Sequence, residues 1–260
     1  MKARYALYLM STVATLCFAA TSAHAQINVG GIVQVFTASQ RPVRNITITN
    51  SGDAPVYIGV QTEKVTDLSV EPATFEPTGD ILVSPKNFSI GPKGQRTVRI
   101  LLKEPPAEKE RGYRVLFIPR ASEFDSEQVQ TRKSGGRSMV LKVLTGIGML
   151  VYVEPKQVTK ELDISRTSSG VTFTNRGNIQ VNLTAGVVCP ASATLDEKER
   201  AAVSDKEAHS DFKKKGCVPF ERTRIHAGKS LTVPVPNGYR LYGKKRFGAL
   251  EPHEPFTVDP

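Results

Sequence analysis

Residues 138–155 run Ser-Met-Val-Leu-Lys-Val-Leu-Thr-Gly-Ile-Gly-Met-Leu-Val-Tyr-Val-Glu-Pro. The odd positions Met139, Leu141, Val143, Ile147, Met149, Val151 and Val153 are apolar and broken only by Thr145, while the even positions include Lys142, Gly146, Gly148 and Glu154. A period of two with one apolar face belongs to a strand. The competing helix is disfavoured by the valines and by Gly146-Ile147-Gly148, because glycine costs about 1 kcal/mol in a helix interior. Pro155 closes the stretch and reads as the boundary between two halves of the chain.

The preceding half is strand and turn almost throughout. Ile27–Phe36 is a first strand with a bulge or kink at Gly30-Gly31. Arg44–Asn50 alternates cleanly into a turn at Ser51–Pro55, and Val56–Thr62 follows as the next strand. Beyond a polar, proline-bearing stretch come Ile81–Pro85, Phe88–Gly94, Gln95–Leu102 and Gly112–Pro119, then a polar loop with Ser134-Gly135-Gly136. About seven short strands separated by Gly/Pro turns predict a β-sandwich.

The second half is of the same class. Gly170–Asn175 is a strand, Arg176-Gly177-Asn178 a turn, and Ile179–Thr184 is expected to be its hairpin partner. Ser230–Val235 resumes strand character. Ile46–Gly52 and Val171–Gly177 share a strand, Asn, turn pattern, which suggests two sandwiches of related topology. Between Cys189 and Cys217 lies a charged segment, Leu195–Ala202 and beyond, expected to be a solvated insertion with an exposed helix as the alternative.

The N-terminus carries Lys2 and Arg4, an apolar run from Tyr5 to Ala20, and Ala23-His24-Ala25. This is the pattern of a signal peptide cleaved after Ala25, since the run falls short of the ~20 residues a membrane span needs. Cys17 would leave with it, and Cys189 and Cys217, an even pair in an oxidising compartment, are expected to form a disulfide. The +10 net charge is scattered, with short clusters at Lys213-Lys214-Lys215 and Lys244-Lys245-Arg246 that read as solvated surface. With no tryptophan and no aromatic-basic interleaving, nucleic acid is not an expected partner. His209, His226 and His253 stand in polar contexts without metal-ligand spacing, and there is no Gly-x-Ser-x-Gly. Enzymatic activity, cofactors and bound metals are therefore not expected.

Several features together carry a family resemblance: Asn50 at a turn with Pro55 and a hydrophobic strand; Ser84-Pro85-x-x-Phe88-x-Ile90-x-Pro92 followed by Val98-Arg99; Tyr113-Arg114-Val115-x-Phe117; the long strand ending at Pro155; and Thr174-Asn175-x-Gly177-Asn178-x-x-Val181 ahead of the cysteine pair. The chain resembles the PapD-like periplasmic chaperones of the chaperone-usher pathway, most closely the divergent class serving CS1/CFA-type (alpha) fimbriae. The resemblance implies an all-β fold, two immunoglobulin-like sandwiches in a boomerang arrangement. The limits are 1–25 for the leader, 26–155 for the sandwich bearing the subunit-binding edge strand, and 156–260 for the sandwich with the disulfide-closed insertion.

It further implies partners: fimbrial (pilin) subunits, bound by donor-strand complementation, and an outer-membrane usher to which they are delivered. Met139, Leu141 and Val143, with Thr145 and Ile147 next, are the residues expected to enter the subunit. The family places a basic pair in the cleft to hold the subunit's terminal carboxylate. Here the first strand has no Arg or Lys and Leu150 stands where a lysine is expected, leaving Arg99, Arg114, Arg41 and Lys142 as candidates for the anchor or a cleft ion pair. The exposed apolar edge predicts self-association of the free chain, with no stable membrane insertion. The rival reading is a secreted structural or adhesive β-sandwich of a pilus or cell surface.

Overall fold

The computed structural model describes residues 27–67, 73–120, 145–168, 170–184, 186–205 and 208–260. The leader and the segment holding Met139, Leu141, Lys142 and Val143 lie outside these residues. The fold is two immunoglobulin-like β-sandwiches in tandem.

In the first sandwich, strands β1 (Ile27–Val29), β3 (Val43–Asn50), β8 (Gln95–Leu102) and β6 (Ile81–Ser84) form a four-stranded antiparallel sheet in the order β1-β3-β8-β6. The facing sheet runs β2 (Val33–Phe36), β10 (Ile147–Val153), β9 (Arg111–Arg120), β4 (Val56–Asp67) and β5 (Thr74–Pro77), with β7 (Asn87–Ile90) also on β4. Alternation explains the core. Ile46, Ile48, Val98 and Ile100 point inward from one sheet, and Ile58, Val115, Phe117, Met149, Val151 and Val153 from the other.

The expected first strand is divided. β1 pairs antiparallel with β3, and β2 pairs parallel with β10 in the opposite sheet. Gly31, at φ 75°, adopts the left-handed turn that lets the chain change sheets.

The second sandwich packs β11 (Leu162–Thr167), β12 (Gly170–Asn175) and β17 (Ser230–Val233) against a sheet ordered β15 (Val218–Phe220), β14 (Gly186–Pro190), β18 (Tyr239–Phe247), β13 (Val181–Leu183) and β16 (Thr223–Ile225), with β19 (Glu254–Val258) on β18. β12 and β13 lie in different sheets, so they are not the hairpin that the turn residues suggested. The cause is Asn175, fully buried, whose Nδ2 donates to the carbonyls of Ile179 (2.8 Å) and Ile225 (3.0 Å), while its Oδ1 accepts from the Gly177 amide (3.0 Å). These bonds satisfy the backbone of a corner between sheets. Asn50 does the same between β3 and β4, donating to the carbonyls of Ala54 (2.7 Å) and Gly91 (3.0 Å) and accepting from the Gly52 amide (2.9 Å). The internal similarity seen in sequence is this shared corner.

Cys189 and Cys217 are joined, closing the charged segment. That segment is not merely solvated. Helices α1 (Glu197–Ala201) and α2 (His209–Lys214) cover a small core in which Leu195, Val203 and Phe212 are at most 3% exposed against Val187, Tyr242 and the disulfide. Asp196 and Glu199 form a reciprocal capping box that starts α1, the Asp196 carboxylate accepting from the Glu199 amide at 2.8 Å.

Candidate functional site

The site is built around β10. One edge pairs antiparallel with β9 along its whole length, from Ile147 opposite Phe117 to Val153 opposite Arg111. On the other edge β2 pairs only from Leu150 to Val153, beginning with the Leu150 amide donating to the Ile32 carbonyl at 2.8 Å. Among the described residues no strand pairs with that edge of Ile147, Gly148 and Met149. An uncovered edge leaves backbone N–H and C=O groups facing outward, the arrangement that accepts an added strand. Ile32, 61% exposed, flanks the point where the cover ends and adds apolar surface there.

The odd face of β10 serves its own sandwich first. Met149, Val151 and Val153 are fully buried, and half-buried Ile147 packs against the same core. Thr145 is exposed immediately ahead of the strand. The alternating apolar pattern is thus divided: its C-terminal part is core, and Met139, Leu141 and Val143 lie outside the described residues.

On the even face of β10, Tyr152 meets the second sandwich. Tyr152 is buried, and the guanidinium of Arg224 stands over its ring, 5.8 Å from the centroid. Arg224 on β16, Asn182 on β13 and Arg246 on β18 are register partners across three neighbouring strands. Residues opposite one another in antiparallel strands share a face, so the three side chains form a row. Asn182 organises it, accepting from Arg224 Nε at 3.2 Å while its Nδ2 donates to the Gly248 carbonyl at 2.8 Å.

The row is cationic. Burial, then the charges of Arg222 and Arg224, hold the Arg246 guanidinium below the usual arginine range, and Arg246 Nε is buried with no hydrogen-bond partner among the described residues. His253 is likewise lowered, by burial and by Arg246, Arg222 and Lys244. Among the described residues none of Arg222, Arg224 and Arg246 makes a salt bridge. Guanidinium groups gathered without a salt-bridge partner among the described residues can receive an anion, and their planar shape suits a carboxylate.

The candidates read from sequence occupy other places. Arg114 is committed to Glu63 (2.6 Å) and stacks over Phe75, 3.5 Å from the ring centroid. Arg99 is exposed beside Asn45 Oδ1 at 3.4 Å, and Arg41 is exposed between β2 and β3. Lys142 is outside the described residues. Sequence reasoning missed Arg222, Arg224 and Asn182 and took Arg246 for solvated surface. The available signal was alternation, since Arg222 and Arg224 are two residues apart, Arg224 on β16 and Arg222 just ahead of it.

Two immunoglobulin-like sandwiches in tandem, with an edge strand only partly paired among the described residues and a cationic row beside its far end, define a two-sandwich immunoglobulin-like protein. Within that class, the chain belongs to the PapD family of pili and flagellar-assembly chaperones, whose N-terminal domain matches residues 26–159. The chain is similar to the probable fimbrial chaperone EcpB of Escherichia coli strain K12, at 25% identity over 184 residues, 70% of this chain and 78% of the relative. The same protein in Shigella boydii serotype 4 matches equally. Solved structures share the fold. The class 5 fimbriae chaperone CfaA aligns over 90% of this chain and 98% of its own, with TM-score 0.60 and 16% identity. The Salmonella enterica SafB chaperone, solved in complex with the SafA pilin, aligns over 92% and 99%, with TM-score 0.56 and 14% identity.

Proposed function

We propose that the chain is a periplasmic chaperone, exported by a leader cleaved after Ala25, that binds fimbrial subunits by strand addition and delivers them to an outer-membrane usher. The observation that carries this reading is the edge of β10, unpaired at Ile147–Met149 among the described residues, where the cover of β2 stops. A subunit lacking one strand has unpaired backbone groups and an apolar groove. The segment from Met139 to Ile147 supplies both partners for it, backbone N–H and C=O groups along the edge and alternate apolar side chains into the groove.

The binding unit is residues 26–155, followed by a second sandwich at 156–260. The second sandwich contributes the anchor. Arg224 and Arg246, with Arg222 beside them, take the role of holding the subunit's terminal carboxylate that Arg99, Arg114, Arg41 and Lys142 were candidates for. Support comes from the row's lack of a salt bridge among the described residues and from its contact with Tyr152 on the edge strand itself. Co-expression with a subunit encoded beside an usher tests the reading. A soluble heterodimer is the expected result, and a subunit that stays insoluble with the chaperone recovered alone contradicts it. In the free chain the same edge promotes self-association, measured as solution mass against concentration.

A further inference from the structure

Glu110, the residue before β9, is 7% exposed and lies where the two sandwiches touch. Its amide donates to the Asn178 carbonyl at 2.9 Å. Its carboxyl group accepts from the Gln180 amide at 3.1 Å and from Gln180 Nε2 at 3.3 Å, and Asn178 Nδ2 donates to the Glu108 carbonyl at 3.0 Å. Gln180 is itself buried, and its Oε1 has no hydrogen-bond partner among the described residues. Among the described residues the joint therefore holds a buried acid with no cation in salt-bridge contact and, beside it, an acceptor lacking a donor. A protonated carboxyl group adds an O–H donor to the joint; an ionised one, though favoured by the two Gln180 N–H bonds and by the charge of Arg224, is a buried charge without a salt-bridge partner among the described residues.

We propose that Glu110 and Gln180 form a proton-operated latch between the two sandwiches, closed while Glu110 carries its proton and loosened when it ionises. Burial, the largest influence, moves the titration of Glu110 up to about 7, close to neutral. The surrounding charges are mixed. The two Gln180 hydrogen bonds and, less strongly, Arg224 on β16 favour the ionised form without outweighing burial, while Glu154 beyond β10 opposes it. Glu154 is in turn raised by burial and Glu251 and lowered by Lys160, the last two being paired with each other.

The test uses the free mature chain, so its outcome is independent of subunit binding. Hydrogen-exchange protection factors are measured from about pH 5 to about pH 9, with core amides such as that of Val98 as controls. The amides of Glu110 and Gln180 are expected to lose protection by about tenfold or more with a midpoint near 7, while the core is unchanged. Glu110→Gln should remove the transition. Should that variant not fold, Glu154→Gln is expected to move the midpoint to lower pH by removing the opposing charge. Equal protection at both ends of the range, a parallel loss in the core, the same transition in Glu110→Gln, or an unmoved midpoint in Glu154→Gln overturns the latch.

Discussion

The guanidinium of Arg224 on the second sandwich lies 5.8 Å from the ring of Tyr152 on the edge strand of the first. The proposed strand addition and anion binding thus both involve β10, the first at its edge ahead of Leu150 and the second at the face carrying Tyr152. Replacing both Arg224 and Arg246 with alanine should speed dissociation of a purified subunit complex by about tenfold or more, since charge-assisted hydrogen bonds contribute roughly 1.5–3 kcal/mol each. Arg99→Ala, on an exposed strand position, should leave dissociation unchanged. Dissociation followed by size-exclusion chromatography checks both, and equal rates for all variants count against the row.

The corner asparagines make a paired prediction about stability. Asn175→Ala removes two donated bonds and one accepted bond from buried backbone and should cost about 2–4 kcal/mol in urea unfolding. Asn50→Ala should cost a similar amount in the first sandwich. If each sandwich unfolds with its own transition, each substitution should move one midpoint and spare the other.

Much of this was legible in the sequence. Gln95–Leu102 coincides with β8, and Asn50 and Asn175 were recognisable as equivalent before their bonds were known. Alternation reports which face of a strand is buried, but not which strand lies beside it. Alternation alone therefore makes Ile179–Thr184 a hairpin partner of β12 and the change of sheet at Gly31 a bulge. The arginine row was out of reach for the same reason: Asn182, Arg224 and Arg246 are far apart in sequence and meet only through the pairing of β13 with β16 and β18. The buried state of Glu110 likewise depends on a contact with the second sandwich. The helices between the cysteines had a local signal in Asp196-x-x-Glu199, but a charged surface masked the few apolar residues beneath them.

Folding stability should depend on pH through Glu110. Its titration lies at about 7 in the folded chain against 4.5 when exposed, so the folded state holds the proton more tightly. The contribution is complete below about pH 4.5 and is lost as pH rises through 7, by up to a few kcal/mol. Chemical denaturation of the parent and of Glu110→Gln across that range checks the sign. A parent whose Glu110-dependent stability rises with pH contradicts it.

Reduction of Cys189–Cys217 should act locally. The bond closes a separation of 28 residues, for which loop entropy gives about 3–4 kcal/mol. The core of Leu195, Val203 and Phe212 should lose its protection on reduction, while Val98 and Ile100 in the first sandwich keep theirs. Hydrogen exchange with and without reductant distinguishes this from global unfolding.

The central claim is that residues ahead of β10 enter a subunit. The most direct measurement is co-purification of a fimbrial subunit with the chaperone carrying Leu141→Glu and Val143→Glu, with circular dichroism confirming that the variant is folded. The account predicts a folded chaperone that no longer retains the subunit; a complex recovered in undiminished yield would contradict it.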